Sequence, residues 1–349
     1  MTPMTGIIGQ PHPPSDDRVM EEWSAADADP QDGAVVVEEL TIAPQWHEAR
    51  LDKVLAAMLA GWSRSHLSQV IEAGDVRWLK HPDRPLKPSH KVRSGEVYRV
   101  TLHPLASSAA FEPQAMDLTV LHEDEHLMVI DKPAGLVVHP APGHWSGTLL
   151  NALLHHHAGA RALPRAGIVH RLDKDTSGLM MVGKTPSAVD ALVQAIGARS
   201  VRREYLALAH KPWRGKTHIE IQTDMGRDPR NRLRMAALPE GKGKWSQTDV
   251  TCLATNDQAS WVHCHLHSGR THQIRVHMAH LGHPLVSDVT YGGQLLAGLN
   301  RQALHAWRLS LAHPHTGQAL QWTCPPPPDL RQALSQVGLG YNELLLPVP

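Results

Sequence analysis

Within residues 165–184, His170-Arg171-Leu172-Asp173 stands between two apolar pieces, Gly167-Ile168-Val169 and Leu179 to Val182, with a small polar turn after the carboxylate. The spacing predicts a single carboxylate, Asp173, presented at the end of a strand with a guanidinium two residues upstream. A carboxylate so placed can act as a nucleophile or as the partner of a developing cation without any cofactor. Arg171 can meet a phosphate or a planar base. Two further segments supply matching groups. Arg202-Arg203-Glu204-Tyr205 puts a phenol beside two arginines, and Ser268-Gly269-Arg270-Thr271-His272-Gln273-Ile274-Arg275-Val276-His277 carries two candidate guanidinium partners. An arginine neighbour favours the charged form of a carboxylate, and a phenol can move a proton or pack on a ring. Arg275 and Arg270 compete for the partner's role, and helical spacing alone does not choose between them.

The elements that must position these groups follow from periodicity. Leu127–Ile130 predicts a strand before the Asp131-Lys132-Pro133 turn, and Leu149–His156 a helix. Val189, Leu192, Val193 and Ile196 form one helical apolar face. Glu204–Ala209 predicts a strand. Val262, Cys264 and Leu266 alternate with three histidines, as in a half-buried strand. From about Thr271 a helix turns Ile274, Met278 and Leu281 inward, with Gly269 turning the preceding strand into it. The alternation of strands and helices is irregular, which favours α+β over a doubly wound sheet.

Charge divides the chain. Its 34 Lys and Arg balance 34 Asp and Glu, but residues 1–46 hold nine of the acids and only one base, Arg18, leaving an excess of eight positive charges beyond them. Residues 1–46 are expected to be a disordered acidic tail, with Val35-Val36-Val37 and Leu40 able to form a short strand at its end. From Arg50, Leu51, Val54, Leu55, Met58 and Leu59 trace one face of a helix ended by Gly61. Ser63 is a candidate N-cap of a second helix that turns Leu67, Val70 and Ile71 inward and stops at Gly74. Val76, Trp78 and the stretch from Lys91 to Val100 read as short strands. Residues 47–105 therefore make one small module, 106–117 a linker, and 118–349 the larger domain.

The His170–Asp173 block resembles the catalytic motif of the RluA-type RNA pseudouridine synthases, as do Asn151-Ala152-Leu153-Leu154-His155-His156, Pro284-Leu285-Val286 with Tyr291-Gly292-Gly293, and Arg301-Gln302-Ala303-Leu304-His305-Ala306. That resemblance implies a mixed, largely antiparallel sheet flanked by helices. It implies conversion of uridine to pseudouridine, and the family's nucleophilic aspartate falls on Asp173. Its active-site tyrosine falls on Tyr205, its carboxylate-pairing arginine on Arg275 and its base-displacing arginine on Arg171. His170, Arg270 and Gln273 are expected to contact substrate. Chemistry on a stacked base requires extruding it, and a long cation can fill the vacancy. The approach Pro164 to Val169, the His277-Met278-Ala279-His280 helix and the N-terminal module narrow the implied substrate to several uridines of one stem-loop in large-subunit ribosomal RNA, naked or in a precursor particle.

The N-terminal module resembles the S4 RNA-binding domain in Arg50-Leu51-Asp52-Lys53-Val54-Leu55, Ser63-Arg64-Ser65, Gly74-Asp75-Val76, Pro88-Ser89-His90-Lys91-Val92 and Gly95-Glu96. Arg50, Lys53, Ser63, Arg64, Lys87 and Lys91 are then expected to face phosphates, fixing position without reading sequence. It departs from that pattern at Arg77 to Asp83, where a longer hairpin replaces the usual tight turn.

Competing readings are weaker. Asp173-Lys174-Asp175-Thr176 faintly resembles the loop of phosphorylated-aspartate enzymes, but neither membrane helices nor a regular α/β frame accompanies it. Alternation separates Cys264 from His263, His265 and His267, so those four do not share one tetrahedral site, and no metal is expected. A non-catalytic RNA-binding assembly factor, or a sibling synthase acting elsewhere on ribosomal or transfer RNA, remains open. Three scattered cysteines point to a reducing compartment. No apolar run approaches the ~18 residues of a membrane span, and no secretory leader is visible. The expectation is a cytoplasmic monomer without cofactor.

Overall fold

Leu51, Val54 and Leu55 have no solvent exposure, as one face of a short amphipathic helix requires. The helix belongs to the smaller of two units into which the computed structural model divides, at Ala109/Ala110. The structure describes residues 36–59, 64–102, 111–140, 145–231, 234–342 and 346. In the first unit β1 (Val36–Thr41), α1 (Leu51–Met58), α2 (Arg64–Glu72), β2 (Val76–Trp78) and β3 (Val97–Leu102) form a three-stranded sheet, ordered β1-β3-β2, with two helices. Leu67, Ile71, Val76, Tyr98 and Val100 complete its core.

Two boundaries move. The unit begins inside the stretch expected to be disordered, because β1 pairs antiparallel with β3 from Val36 to Thr41. The residues expected to form a linker also end sooner. Glu112 O accepts from Asn151 Nδ2, and Gln114 Oε1 accepts from Gly147 N, so this stretch is tied to the second unit.

The second unit is a ten-stranded sheet. Its strands are β4 (Thr119–Glu123), β5 (Leu127–Lys132), β6 (Ser177–Gly183), β7 (Arg202–His210), β8 (His218–Arg227), β9 (Met235–Leu238), β10 (Lys244–Thr255), β11 (Ala259–Leu266), β12 (Leu304–Ala312) and β13 (Ala319–Thr323). The order is β4-β5-β6-β12-β7-β11-β10-β8-β9, with β13 on β12. Every pairing is antiparallel except β6 with β12 at its centre. This is the expected α+β architecture. Four helices flank the sheet: α3 (Leu149–His156), α4 (Pro186–Gly197), α5 (Gln273–His280) and α6 (Pro328–Gln336). Successive strand residues serve opposite cores. Tyr205 and Ala207 face Leu153, Ile274 and Met278 from α3 and α5, whereas Leu206 and Leu208 face Leu330 and Leu334 from α6.

Three local expectations change with this packing. β11 is covered on both faces, Val262 and Cys264 by one core and Trp261 by the other, so its alternation does not mark a solvent side. Val193 of α4 is 42% exposed, off the buried stripe of Val189 and Leu192. Gly167-Ile168-Val169 is no strand: Ile168 makes a lone bridge to Val182, so Asp173 sits ahead of β6 rather than at the end of a preceding strand.

The parallel pair needs Gly178. Its φ is +111°, and a Cβ there would lie 2.2 Å from Ala306 O. Gly178→Ala is expected to cost about 3 kcal/mol or more through strain and overpacking, read as a lowered urea midpoint. In the first unit, Asp52 accepts from Arg50 and from Arg64. Its bond from Arg50, reinforced by Arg64 against the opposing effect of burial, lowers its pKa from the usual 3.8 to about 2. A carboxyl lowered on folding stabilises the fold above pH ~4 and loses that contribution as pH falls towards 2. Protection of the α1 amides, relative to the intrinsic exchange rate at each pH, should fall across that window, and Asp52→Asn should remove the step.

Candidate active site

Asp173 lies in the loop before β6, and several buried groups hold that loop. Lys132, at the end of β5, has no solvent exposure and donates all three ammonium protons to the carbonyls of Pro133, Leu136 and Lys174 at 2.8–2.9 Å. Burial lowers its pKa to about 8, against the raising influence of Asp175 and Asp173. Arg301 Nη1 donates to Asp175 O, and Gln302 Nε2 to Thr176 Oγ1. Ser177 Oγ bonds His305 Nδ1 at 3.0 Å, while His305 Nε2 donates to Cys324 O. The Arg301–Ala306 stretch thus braces the loop from β12.

From this loop Asp173 Oδ2 accepts from Arg275 Nη1 at 3.0 Å. The same guanidinium donates Nε to Asp288 Oδ2 at 2.7 Å and Nη2 to Asp288 Oδ1 at 2.9 Å. Asp288 is 1% exposed, Arg275 8% and Asp173 16%, so the carboxylate at the open end is the reachable one. Burial opposes the charge on Arg275, but its bonds to Asp288 and Asp173 outweigh that and raise its pKa above the ordinary arginine value. Its cation also lies 5.0 Å over the Tyr291 ring. Arg270 does not compete: its Nε donates to Trp245 O.

Tyr205 projects from β7 on the same side of the sheet as α5. Burial raises its pKa to about 12, with Arg203 acting against and the charge of Asp173 adding to the rise. Its phenol therefore stays protonated at neutral pH beside Asp173. Arg171 is exposed and, among the described residues, makes no hydrogen bond or ion pair.

Two expected substrate contacts are otherwise engaged. Gln273 is 3% exposed and uses both ends of its amide within the fold: Oε1 accepts from Ser268 Oγ and Arg270 N, and Nε2 donates to Gln247 O and Thr248 Oγ1. It braces the turn into α5. His170 Nε2 accepts from Met181 N at 3.0 Å, where β12 has left the edge of β6. Burial, with Arg203 nearby, pushes its pKa down to about 3, so it remains a neutral acceptor.

The turn from β11 into α5 also differs from expectation. Gly269 does not take a left-handed φ; His272 does, at +58°. A non-glycine residue there costs about 1–2 kcal/mol. The conformation brings His272 Nε2 to 3.8 Å from Asp173 Oδ1 and its Nδ1 to 2.7 Å from Tyr291 Oη. Burial lowers the pKa of His272, against the pull of Asp173. His272, Asp288 and Tyr291 were not singled out for roles from sequence. Their signal lay in the Thr271-His272 step and in Pro284–Gly293, whose spacing has no simple period.

In the first unit Arg50 and Arg64 share Asp52, and Lys91 Nζ donates to Glu48 O. Lys53 and Lys87 are exposed. Ser63 lies outside the described residues. Among the described residues, one group brings three possible metal ligands within 4.8 Å: Asp249, His265 and His267. Asp249 enters from β10, opposite His265 across the strand pair, and already bonds His267 Nε2 at 2.6 Å. Cys264 points into the core on the other side. No helix is long and apolar enough to cross a membrane among the described residues.

Comparison with known proteins follows the same lines. A family model described as RNA pseudouridylate synthase matches residues 126–280. A Neisseria meningitidis serogroup A protein named ribosomal large subunit pseudouridine synthase D is 45% identical over 313 residues, covering 86% of this chain and 82% of that protein. A Nitrosomonas europaea protein of the same name is 42% identical over 309 residues, covering 86% and 87%. The solved structure of human RNA pseudouridylate synthase domain containing 4 shares the fold, with a TM-score of 0.50 and 22% identity over 64% of this chain and 94% of that one.

Asp288→Asn should expose how far the site depends on the inner carboxylate. Breaking a buried pair by removing one partner costs about 3–5 kcal/mol. A urea midpoint lowered by that order, with turnover falling in parallel, is the expected result.

Proposed function

The chain belongs to the RNA pseudouridine synthase family, and from that premise we propose that it isomerises uridines in one stem-loop of large-subunit (23S) ribosomal RNA, using Asp173 as nucleophile and no cofactor. The reading is supported by the names of its relatives and, above all, by one observation: a partly exposed carboxylate anchored by an arginine that is itself locked to a buried carboxylate. A pre-organised pair of this kind pays little reorganisation when substrate arrives.

In the proposed reaction the N1–C1′ bond of uridine breaks and a C5–C1′ bond forms. The C5 proton departs and N1 gains one, so nothing is added or lost overall. Asp173 adds as nucleophile while the N1–C1′ bond breaks and leaves again as the C5–C1′ bond forms, and Arg275 pairs the carboxylate before and after. Tyr205, protonated, packs on or donates to the freed ring. Arg171, without a partner among the described residues, fills the space left by the extruded base. The first unit, read as an S4-like domain, contributes Arg50, Lys53, Arg64, Lys87 and Lys91 to phosphate contacts that position the RNA. Such contacts make affinity fall with salt. The chain acts as a monomer, on ribosomal RNA or its precursor particle in the cytoplasm.

Asp173→Ala is the direct test. Ribosomal RNA from a strain lacking the protein is treated with either enzyme, and pseudouridine is mapped chemically. Wild type should modify uridines in a large-subunit loop, and the variant should lose at least about a thousandfold in rate while still binding the RNA. Isomerisation by the variant at a rate near that of wild type would remove Asp173 from its role, and modification confined to transfer RNA would move the substrate to that of a sibling.

A further inference from the structure

Arg203 stands out among the charged groups of the second unit. It is 6% exposed, yet among the described residues it makes no hydrogen bond and no ion pair. Its Nε is sealed from solvent and unbonded. The contrast with its neighbours is sharp: Arg202 and Arg308 both reach Glu204, and Arg275 holds two carboxylates. The groups that feel the Arg203 charge are His170 and Tyr205, and both are neutral. Among the described residues no carboxylate pairs with it.

Its surroundings tell where the charge points. Arg203 lies on β7 opposite Leu266 of β11, two residues from Tyr205. Its guanidinium runs to the exposed turn at Gly269, where a Cβ would sit 2.7 Å from Nη1 and within 3.8 Å of Nη2. The close approach locates the guanidinium at this turn, where the backbone angle of Gly269 is unexceptional. Only Nε is both sealed and unbonded; the terminal nitrogens emerge beside the segment that carries His272 and Arg275. A buried unpaired cation is expensive to keep, and a methionine would fill the same space without that cost.

We propose that Arg203 is an anion-binding residue of this site, taking a phosphodiester of the RNA strand next to the nucleotide that Asp173 attacks. The two terminal nitrogens form a fork suited to paired phosphate oxygens. Asp173 is already partnered by Arg275, so Arg203 is free for the incoming strand. The buried stem makes the fork rigid, and the phosphate then fixes the sugar relative to Asp173 and Tyr205. This assignment rests on the proposed function, since it takes the anion to be RNA.

The test compares wild type with Arg203→Met and Arg203→Lys, using a fluorescent transcript of the large-subunit stem-loop that wild type modifies, or binds if it modifies none. Arg203→Met should weaken binding about tenfold or more, and raise KM more than it lowers kcat. The slope of log affinity against log salt should become shallower by about 0.7, one single-strand phosphate contact. Its melting temperature without RNA should hold or rise, because the uncompensated charge is gone; Arg203→Lys should give intermediate affinity. A transcript with a neutral methylphosphonate at the contacted linkage should bind wild type more weakly and leave Arg203→Met unaffected. Unchanged affinity and salt slope would overturn the proposal. So would a loss confined to kcat, which would assign the charge to the pyrimidine, or a lowered melting temperature with unaltered slope, which would make it structural. A wild-type chain that binds the transcript but modifies no uridine would defeat the proposed function alone, because the salt slope needs no turnover.

Discussion

Arg275 sits between two carboxylates, one sealed and one reachable, and much of the second unit is arranged to keep it there. With Asp288 taking two of its nitrogens, the guanidinium cannot rotate freely, so the remaining Nη1 offers Asp173 one fixed direction. Two carboxylates share this one guanidinium, and of the two Asp173 is the more exposed. The carboxylate proposed as nucleophile is thereby the more accessible one. Burial strengthens each of these interactions and makes the loss of either partner costly.

Holding Asp173 at the other end of that pair is a separate problem, since it lies in a loop. The solution is a set of buried polar groups that satisfy backbone carbonyls. Lys132 takes three of them, Arg301 another, and His305 links Ser177 to Cys324. The loop also borders the one parallel pairing of the sheet, where only glycine lets β6 and β12 approach. His170 closes the edge that β12 leaves open. Of His170, Arg171 and Asp173, the first thus gives one ring nitrogen to the fold.

The two arginines on β7 and the pair on α5 illustrate how partners decide what a charge is for. Arg202 pairs with Glu204, and Arg270 gives its Nε to a carbonyl, so each has one anchor within the fold. Arg275 is satisfied and functional together. Arg203 alone of these is buried with no ion pair to a described residue, a costly arrangement for the fold.

Sequence by itself determined the α+β class, most helices and strands, and the three segments that meet at the site, because apolar periodicity and local motif order survive without a third dimension. Asp173 and Tyr205 were legible there as a carboxylate and a phenol, and Arg275 as one of two candidate partners. The choice of Arg275 over Arg270 was not, since both lie on the same short stretch and only the position of Asp288, thirteen residues on, separates them. Gln273 and His170 looked like substrate ligands because a polar residue in a motif carries no mark of where its hydrogen bonds end. Val36–Thr41 was read as the end of the tail, able to form a short strand, and Glu112–Gln114 as linker, because their partners, β3 and the Gly147–Asn151 stretch, lie far along the chain. Tertiary structure decided these matters for one physical reason: hydrogen bonds and ion pairs between distant segments leave no periodic trace in the residues that make them.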